Sequence, residues 1–151
     1  MSTPVPEYKR MIQSPQTIQV SRNGVVHEAT VEWRRTPDYR WTVSIESSEF
    51  DSVEAQANDA FEALCIIREQ LEPHGWRIGV AGARADVWPS GMARDQGGGL
   101  RAYRLTSKGA EGLVDTFEPV DPASVTTVVE QRADTERLHD EIRRGAKDRR
   151  A

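Results

Sequence analysis

The sequence has few of the residues that support cysteine- or histidine-based chemistry. Its 151 residues include one cysteine, Cys65, and three histidines, His27, His74 and His139, far apart along the chain. A single cysteine excludes an internal disulfide framework and a multi-cysteine zinc site, and it agrees with a reducing compartment. A catalytic nucleophile also needs a base and an orienting partner beside it. We therefore expect no metal, no cofactor and no catalytic residue.

Long hydrophobic runs are also absent. No stretch approaches the roughly 18 apolar residues that a membrane helix requires, and the first seven residues lack the charged start and apolar run of a signal peptide. Hydrophobic residues make up 37% of the chain and charged residues 29%, which is enough apolar material for a globular core. The expectation is one cytoplasmic domain without membrane contact.

Charge is distributed unevenly along the chain. The net charge is −4, but the segment from Glu46 to Glu72 carries eight acidic residues against one arginine. Asp59, Glu62 and Glu69 fall on one stripe of a predicted helix, which predicts an acidic patch facing solvent. Such a patch is either a solvated helix face or a surface that attracts a basic protein, and it would repel nucleic acid.

Residue patterning predicts the first half of the fold. Three prolines in residues 1–15 indicate an extended lead-in, and alternation over residues 16–46, with a turn at Asn23-Gly24, predicts a three-strand antiparallel meander. Apolar residues then recur at helical spacing from Val53 to Leu71. Asp51 with Glu54 resembles the capping box of that long helix.

The second half predicts about three more strands and a C-terminal helix. The strands are expected over residues 76–82, 100–105 and 112–117. The helix is expected to begin at Asp121-Pro122, to place Val125, Val128 and Val129 on one face, and to run to about Arg144. The fold class is therefore α+β with a mostly antiparallel sheet. Its single domain covers residues 16–130, and residues 131–151 form a charged helical tail that is partly frayed.

The connection over residues 82–99 is the most informative segment, because loops of this length are usually functional or disordered. Trp88 and Met92 favour a compact loop, since both side chains are costly to leave in water. One interpretation is an anion site made by the amides of three glycines and by nearby arginine charge. This site would consist of Gly97, Gly98, Gly99 and Arg101, and it implies a regulatory domain that binds a small ligand, a nucleotide or a phosphate.

Other interpretations of the loop stay open. Ser90 could act as a nucleophile, or Asp86 and Asp95 as acid and base, although no histidine lies nearby in sequence. Pairing of neighbouring arginine and aspartate side chains could simply hold the loop's shape. Finally, tryptophan, methionine and arginine are enriched at protein interfaces. That enrichment predicts a protein-binding loop formed by Arg84, Asp86, Trp88, Ser90, Met92 and Arg94.

A resemblance favours the protein-binding interpretation. The run Gly82-Ala83-Arg84, Asp86-Val87, Pro89-Ser90-Gly91-Met92, Arg94 and the triple glycine, followed by Ala102-Tyr103 and Val114-Asp115-x-Phe117, resembles small bacterial immunity-type proteins encoded beside polymorphic toxins. The likeness covers about residues 75–120. It implies a non-catalytic protein that binds and neutralises a cognate toxin. The acidic segment would suit a partner with a basic toxin domain.

Overall fold

Two antiparallel sheets and three α-helices form the described part of the chain. The computed structural model describes residues 12–150, so the first eleven residues of the predicted lead-in lie outside the described residues. The α+β class and the antiparallel strands are confirmed. The elements are β1 (Gln16–Arg22), β2 (Val25–Arg35), β3 (Trp41–Ser47), β4 (Phe50–Ala57), α1 (Ala60–Leu71), β5 (Trp76–Gly79), β6 (Val87–Trp88), α2 (Gly91–Gly97), β7 (Arg101–Thr106), β8 (Gly109–Asp115) and α3 (Val128–Arg150).

The larger sheet has the strand order β4-β3-β2-β1-β5 and packs one face against α1. Asn23 and Gly24 both have positive φ, at 53° and 77°, which closes the predicted β1–β2 hairpin. Apolar residues recur at every second position of the strands, on the face toward α1. These side chains form the main core with the apolar stripe of α1, and the core includes Val31, Ile45 and Leu64. Burying each such side chain contributes about 1.5–3 kcal/mol relative to leaving it exposed.

The meander has four strands rather than the predicted three, because residues 50–57 are extended. Val53 and Ala55 pair with Ile45 and Val43 of β3, and the backbone hydrogen bonds of this pairing are available only in the folded sheet. The predicted capping box at Asp51 and Glu54 is therefore wrong. The cap of α1 is Asp59, whose carboxylate accepts a hydrogen bond from the amide of Glu62 at 2.8 Å.

The second sheet is smaller and separate, with the order β6-β7-β8. The strand predicted over residues 76–82 is β5 of the larger sheet; it ends at Gly79, and a short 3₁₀ turn follows at Ala81–Ala83. The predicted loop over residues 82–99 is more structured than expected, because it holds β6 and α2. The final predicted strand is shifted toward the N-terminus and spans Gly109–Asp115.

The C-terminal helix begins later and ends later than predicted. Asp121-Pro122 starts a 3₁₀ turn, Pro122–Ser124, and α3 spans Val128–Arg150. Val128 is buried, whereas Val129 is 77% exposed, so the prediction of one valine face is wrong. Within residues 12–150 no helix is long and apolar enough to cross a membrane.

A buried polar network joins α1, α3 and the segment after β5. Arg68 is fully buried and donates hydrogen bonds to Glu72 at 2.9 Å, to Gln131 at 2.5 Å and to the Thr126 carbonyl at 2.8 Å. Glu72 also accepts from the first amide of α3, that of Val128, at 2.8 Å. The amide nitrogen of Gln131 in turn contacts the carbonyls of Gly82, Arg84 and Val87. This network holds residues 82–87 against α1 and α3.

Candidate functional site

Most residues predicted to form a binding loop have partners inside the protein. Arg84 and Asp86 form a two-point ion pair, with N–O distances of 3.2 and 3.4 Å. The hydroxyl of Ser90 accepts from the amide of Ala93 at 3.0 Å and caps α2, which gives it a structural role. Met92 differs from these, because the residue is 69% exposed.

Trp88 and Arg94 hold α2 against the start of α1. The Trp88 ring meets Phe61 edge to face, with ring centroids 5.1 Å apart. The Arg94 guanidinium lies 5.4 Å from the Phe61 ring centroid and 5.5 Å from that of Trp88. It also pairs with the buried carboxylate of Asp59 at 3.4 Å. Arg94 therefore pairs with Asp59 and not with its sequence neighbour Asp95.

The glycines do not form the predicted anion nest. Gly98 and Gly99 have the expected positive φ values, 65° and 72°. Their amides donate to the carbonyl of Ala93, which terminates α2, and the Leu100 amide donates to Gly97. Arg101 is paired with Asp115 at 3.4 Å. The amides of Gly98 and Gly99 are thus already hydrogen-bonded, and a phosphate could bind them only by displacing the helix end.

The C-terminal end of α2 instead forms one wall of a cleft that sequence reasoning did not identify. The opposite wall is the turn between β2 and β3, and we call the space between them the turn–helix cleft. Its volume is about 280 Å³. Gly98 is essential to this geometry, because a side-chain carbon there would lie 2.6 Å from the Trp41 indole. The lining residues are Arg35, Tyr39, Trp41, Asn58, residues 94–98 and Leu100.

Tyr39 is the most unusual residue of the cleft. The residue is 73% exposed, and its backbone adopts the left-handed conformation with φ of 63°. An L-residue with a side chain of this size is disfavoured there by about 1–2 kcal/mol, and glycine or asparagine is the usual occupant. The central carbon of the Arg35 guanidinium lies over the Tyr39 ring, 4.7 Å from its centroid. The sequence signal was an aromatic residue directly after Pro37-Asp38, at a turn position that favours glycine.

The predicted acidic patch on α1 is partly wrong. Asp59 is buried as the helix cap, and Glu69 lies 3.5 Å from Arg132. Exposed carboxylates gather instead on the face of the larger sheet opposite α1. The register places four glutamates and Arg34 on that face across β2, β3 and β4; the glutamates are Glu28, Glu32, Glu46 and Glu54.

A larger depression of about 610 Å³ lies beside β1, but its lining offers fewer side chains of the kinds that bind a partner. Its lining includes His27, whose Nδ1 atom is 3.0 Å from Glu49. The lining contains no arginine and no tryptophan. The described residues also contain no group of histidine, cysteine and carboxylate side chains that could hold a metal ion. The turn–helix cleft is therefore the better candidate site.

Cys65 is predicted to be unreactive in the folded protein. The thiol lies in the core beside Phe61, and burial raises its pKa to about 11, although nearby Arg68 opposes this shift. Because the thiolate is the reactive form, modification by Ellman's reagent at pH 8 should be on the order of 100-fold slower than in denaturant. Absorbance at 412 nm measures this rate, and rapid stoichiometric reaction of the native protein would contradict the prediction.

Neither a protein-family model nor a curated protein matches this chain. The resemblance of residues 75–120 to immunity-type proteins therefore stays a prediction.

Proposed function

We propose that this chain is a non-catalytic protein-binding module of the immunity type, which binds and neutralises a cognate bacterial toxin. Its binding surface is centred on the turn–helix cleft and includes the exposed Met92 of α2. The observation that carries the proposal is Tyr39, an exposed aromatic residue kept in a disfavoured backbone conformation. Strained residues that the surrounding fold maintains are often found at functional positions.

The composition of the surface supports a protein partner. Tyrosine, tryptophan and arginine dominate the energetics of protein interfaces, and the cleft brings together Tyr39, Trp41 and Arg35. Met92 adds an adaptable apolar contact. The exposed glutamates of the larger sheet would speed the approach of a basic partner, such as a basic toxin domain, by long-range attraction.

Replacement of Tyr39 by asparagine should separate stability from binding. Asparagine accepts the left-handed backbone more readily, which gains about 1 kcal/mol. Loss of the ring contact with Arg35 offsets roughly 0.5 kcal/mol of that gain. We therefore expect Tyr39→Asn to unfold in urea with unchanged or slightly higher free energy. A loss of more than about 1 kcal/mol would show that Tyr39 is a structural residue.

Capture of the partner tests the proposed function. Tagged wild-type protein, a Tyr39→Asn, Met92→Ser double variant and a Val129→Ser control would be incubated with lysate of the native cell. Val129 is a suitable control because it is an exposed apolar residue on α3. We expect a one-to-one partner with the wild type and the control, and at least a tenfold reduction with the double variant.

Toxicity of the captured partner decides whether the module is of the immunity type. The partner's gene would be expressed in a surrogate bacterium with and without this chain. The proposal expects growth arrest by the partner alone and growth restored by the wild-type chain but less by the double variant. A harmless partner would contradict the immunity type, and equal capture by the double variant would place the binding surface elsewhere.

A further inference from the structure

We infer that the turn–helix cleft binds a carboxylate side chain of the partner, an aspartate or a glutamate, and that Arg35 is the residue that recognises it. This inference rests on the proposed function, because it specifies the contact made at the same site.

The cleft holds two side-chain hydrogen-bond donors, those of Arg35 and Trp41, that have no partner among the described residues. The Arg35 guanidinium forms no ion pair or hydrogen bond within the part of the chain that the structure describes. The indole nitrogen of Trp41, beside Gly98, likewise donates no hydrogen bond to residues 12–150. Asn58 and Gln96 add exposed amide groups to the lining. Asp95 supplies the only carboxylate among the lining residues.

The contact of Arg35 with Tyr39 leaves the N–H donors of Arg35 available. The central carbon of the Arg35 guanidinium lies over the Tyr39 ring, 4.7 Å from its centroid, and this contact leaves the N–H groups at the edge of the guanidinium for other partners. A carboxylate can then accept two parallel hydrogen bonds from that edge. The exposed ring also reduces the freedom of the arginine side chain, which lowers the entropy lost on binding.

Arg94 is less suited to this recognition than Arg35. Its guanidinium already contacts the buried Asp59 carboxylate at 3.4 Å and packs against Phe61 and Trp88. Removing it from Asp59 would leave a buried charge without its partner. Among the described lining residues Arg35 therefore carries the free positive charge, whereas Asp95 and the carbonyl end of α2 oppose the binding of an anion.

The turn–helix cleft has room for one side chain of a partner. Sites for drug-sized ligands usually measure about 300–1,000 Å³. The turn–helix cleft, at about 280 Å³, lies just below that range. A single carboxylate-bearing side chain, presented from a partner that covers the surrounding surface, fits this volume and the donor set.

Titration of the protein with a capped glutamate tests the inference. The probe is N-acetyl-glutamate N-methylamide, and the matched neutral compound is N-acetyl-glutamine N-methylamide at equal ionic strength. The readout is the indole N–H signal of Trp41 in ¹⁵N-labelled protein, which a Trp41→Phe variant assigns among the four tryptophans. We expect a saturable shift with a Kd on the order of 10 mM for the glutamate, as is usual for a single fragment-sized contact.

Three variants make the test specific. Arg35→Gln should abolish the shift, whereas Arg34→Gln should keep it, because the Arg34 side chain lies on the opposite face of β2. Asp95→Asn should tighten binding several-fold by removing the opposing charge, a gain that a damaged fold would not produce.

Four outcomes would overturn the inference: no saturable shift, an equal shift with the glutamine compound, an unchanged shift in Arg35→Gln, or tighter binding of inorganic phosphate than of the glutamate. None of these outcomes would contradict the proposed function, because the capture experiment measures binding of the partner and does not use the glutamate compound. Conversely, a specific glutamate shift without any captured partner would contradict the proposed function while retaining the site.

Discussion

Replacement of Arg68 by alanine should lower the free energy of unfolding by about 3–5 kcal/mol, because it leaves a buried carboxylate without its counter-charge. Glu72 is only 6% exposed in its side chain and would lose the donor at 2.9 Å. Gln131 and the Thr126 carbonyl would lose donors as well. Urea denaturation followed by circular dichroism measures the change. The melting temperature should fall by roughly 10 °C.

A charge-free double variant distinguishes this explanation from simple loss of packing. In Arg68→Met, Glu72→Gln the methionine fills part of the space, and the glutamine still offers an oxygen to the Val128 amide. Replacing both charges is far less costly than removing one. The double variant should therefore be more stable than Arg68→Met alone, which keeps the same side-chain volume but leaves Glu72 unpaired, by at least about 1–2 kcal/mol.

An exposed arginine supplies the matched control. Arg132 pairs with Glu69 at 3.5 Å, and about half of each side chain is exposed. Arg132→Met should cost no more than about 0.5 kcal/mol, because water screens the pair. Equal losses for Arg68→Ala and Arg132→Met would show that burial of the network contributes nothing.

Replacement of Gly99 by alanine should destabilise the fold by about 3 kcal/mol, which combines an unfavourable φ with steric overlap. Gly99 has φ of 72°, and an added Cβ would lie 2.7 Å from Asp59 Oδ1 and 2.8 Å from the Phe61 amide nitrogen. Backbone atoms cannot move aside as a flexible side chain can. The added methyl group would therefore push α2 away from the start of α1. The Asp59–Arg94 ion pair joins the two helices at this point.

Gly97 provides the control for this substitution within the same triple glycine. An added Cβ at Gly97 meets nothing within 4 Å, and the residue is the last of α2. Gly97→Ala should therefore be neutral or stabilising by about 0.5–1 kcal/mol, since alanine favours helix. Thermal unfolding of both variants measures the contrast, and similar losses at the two positions would contradict the steric argument.

Local patterns in the sequence were sufficient for several elements. The alternation of Ile18 and Val20 and the turn at Asn23-Gly24 predicted the first hairpin, because both signals lie within one short segment. The prediction of a helix from Val53 was wrong for residues 53–57, and the reason is also physical. Val53, Ala57 and Ala60 are spaced at intervals that suit a helix, whereas pairing with β3 provides hydrogen bonds that no local pattern reveals.

The candidate site likewise depends partly on local sequence and partly on long-range contacts. The sequence by itself determined that arginine, tryptophan and methionine side chains would be concentrated between residues 82 and 99, and that glycines would permit a left-handed turn there. Only the tertiary structure decided that Arg94 pairs with Asp59, that Arg68 is buried, and that Tyr39 faces α2 across a cleft. These contacts join residues up to 63 positions apart, as for Arg68 and Gln131. Their partners are set by how the two sheets and three helices pack, a global energy balance that residue spacing along the chain does not encode.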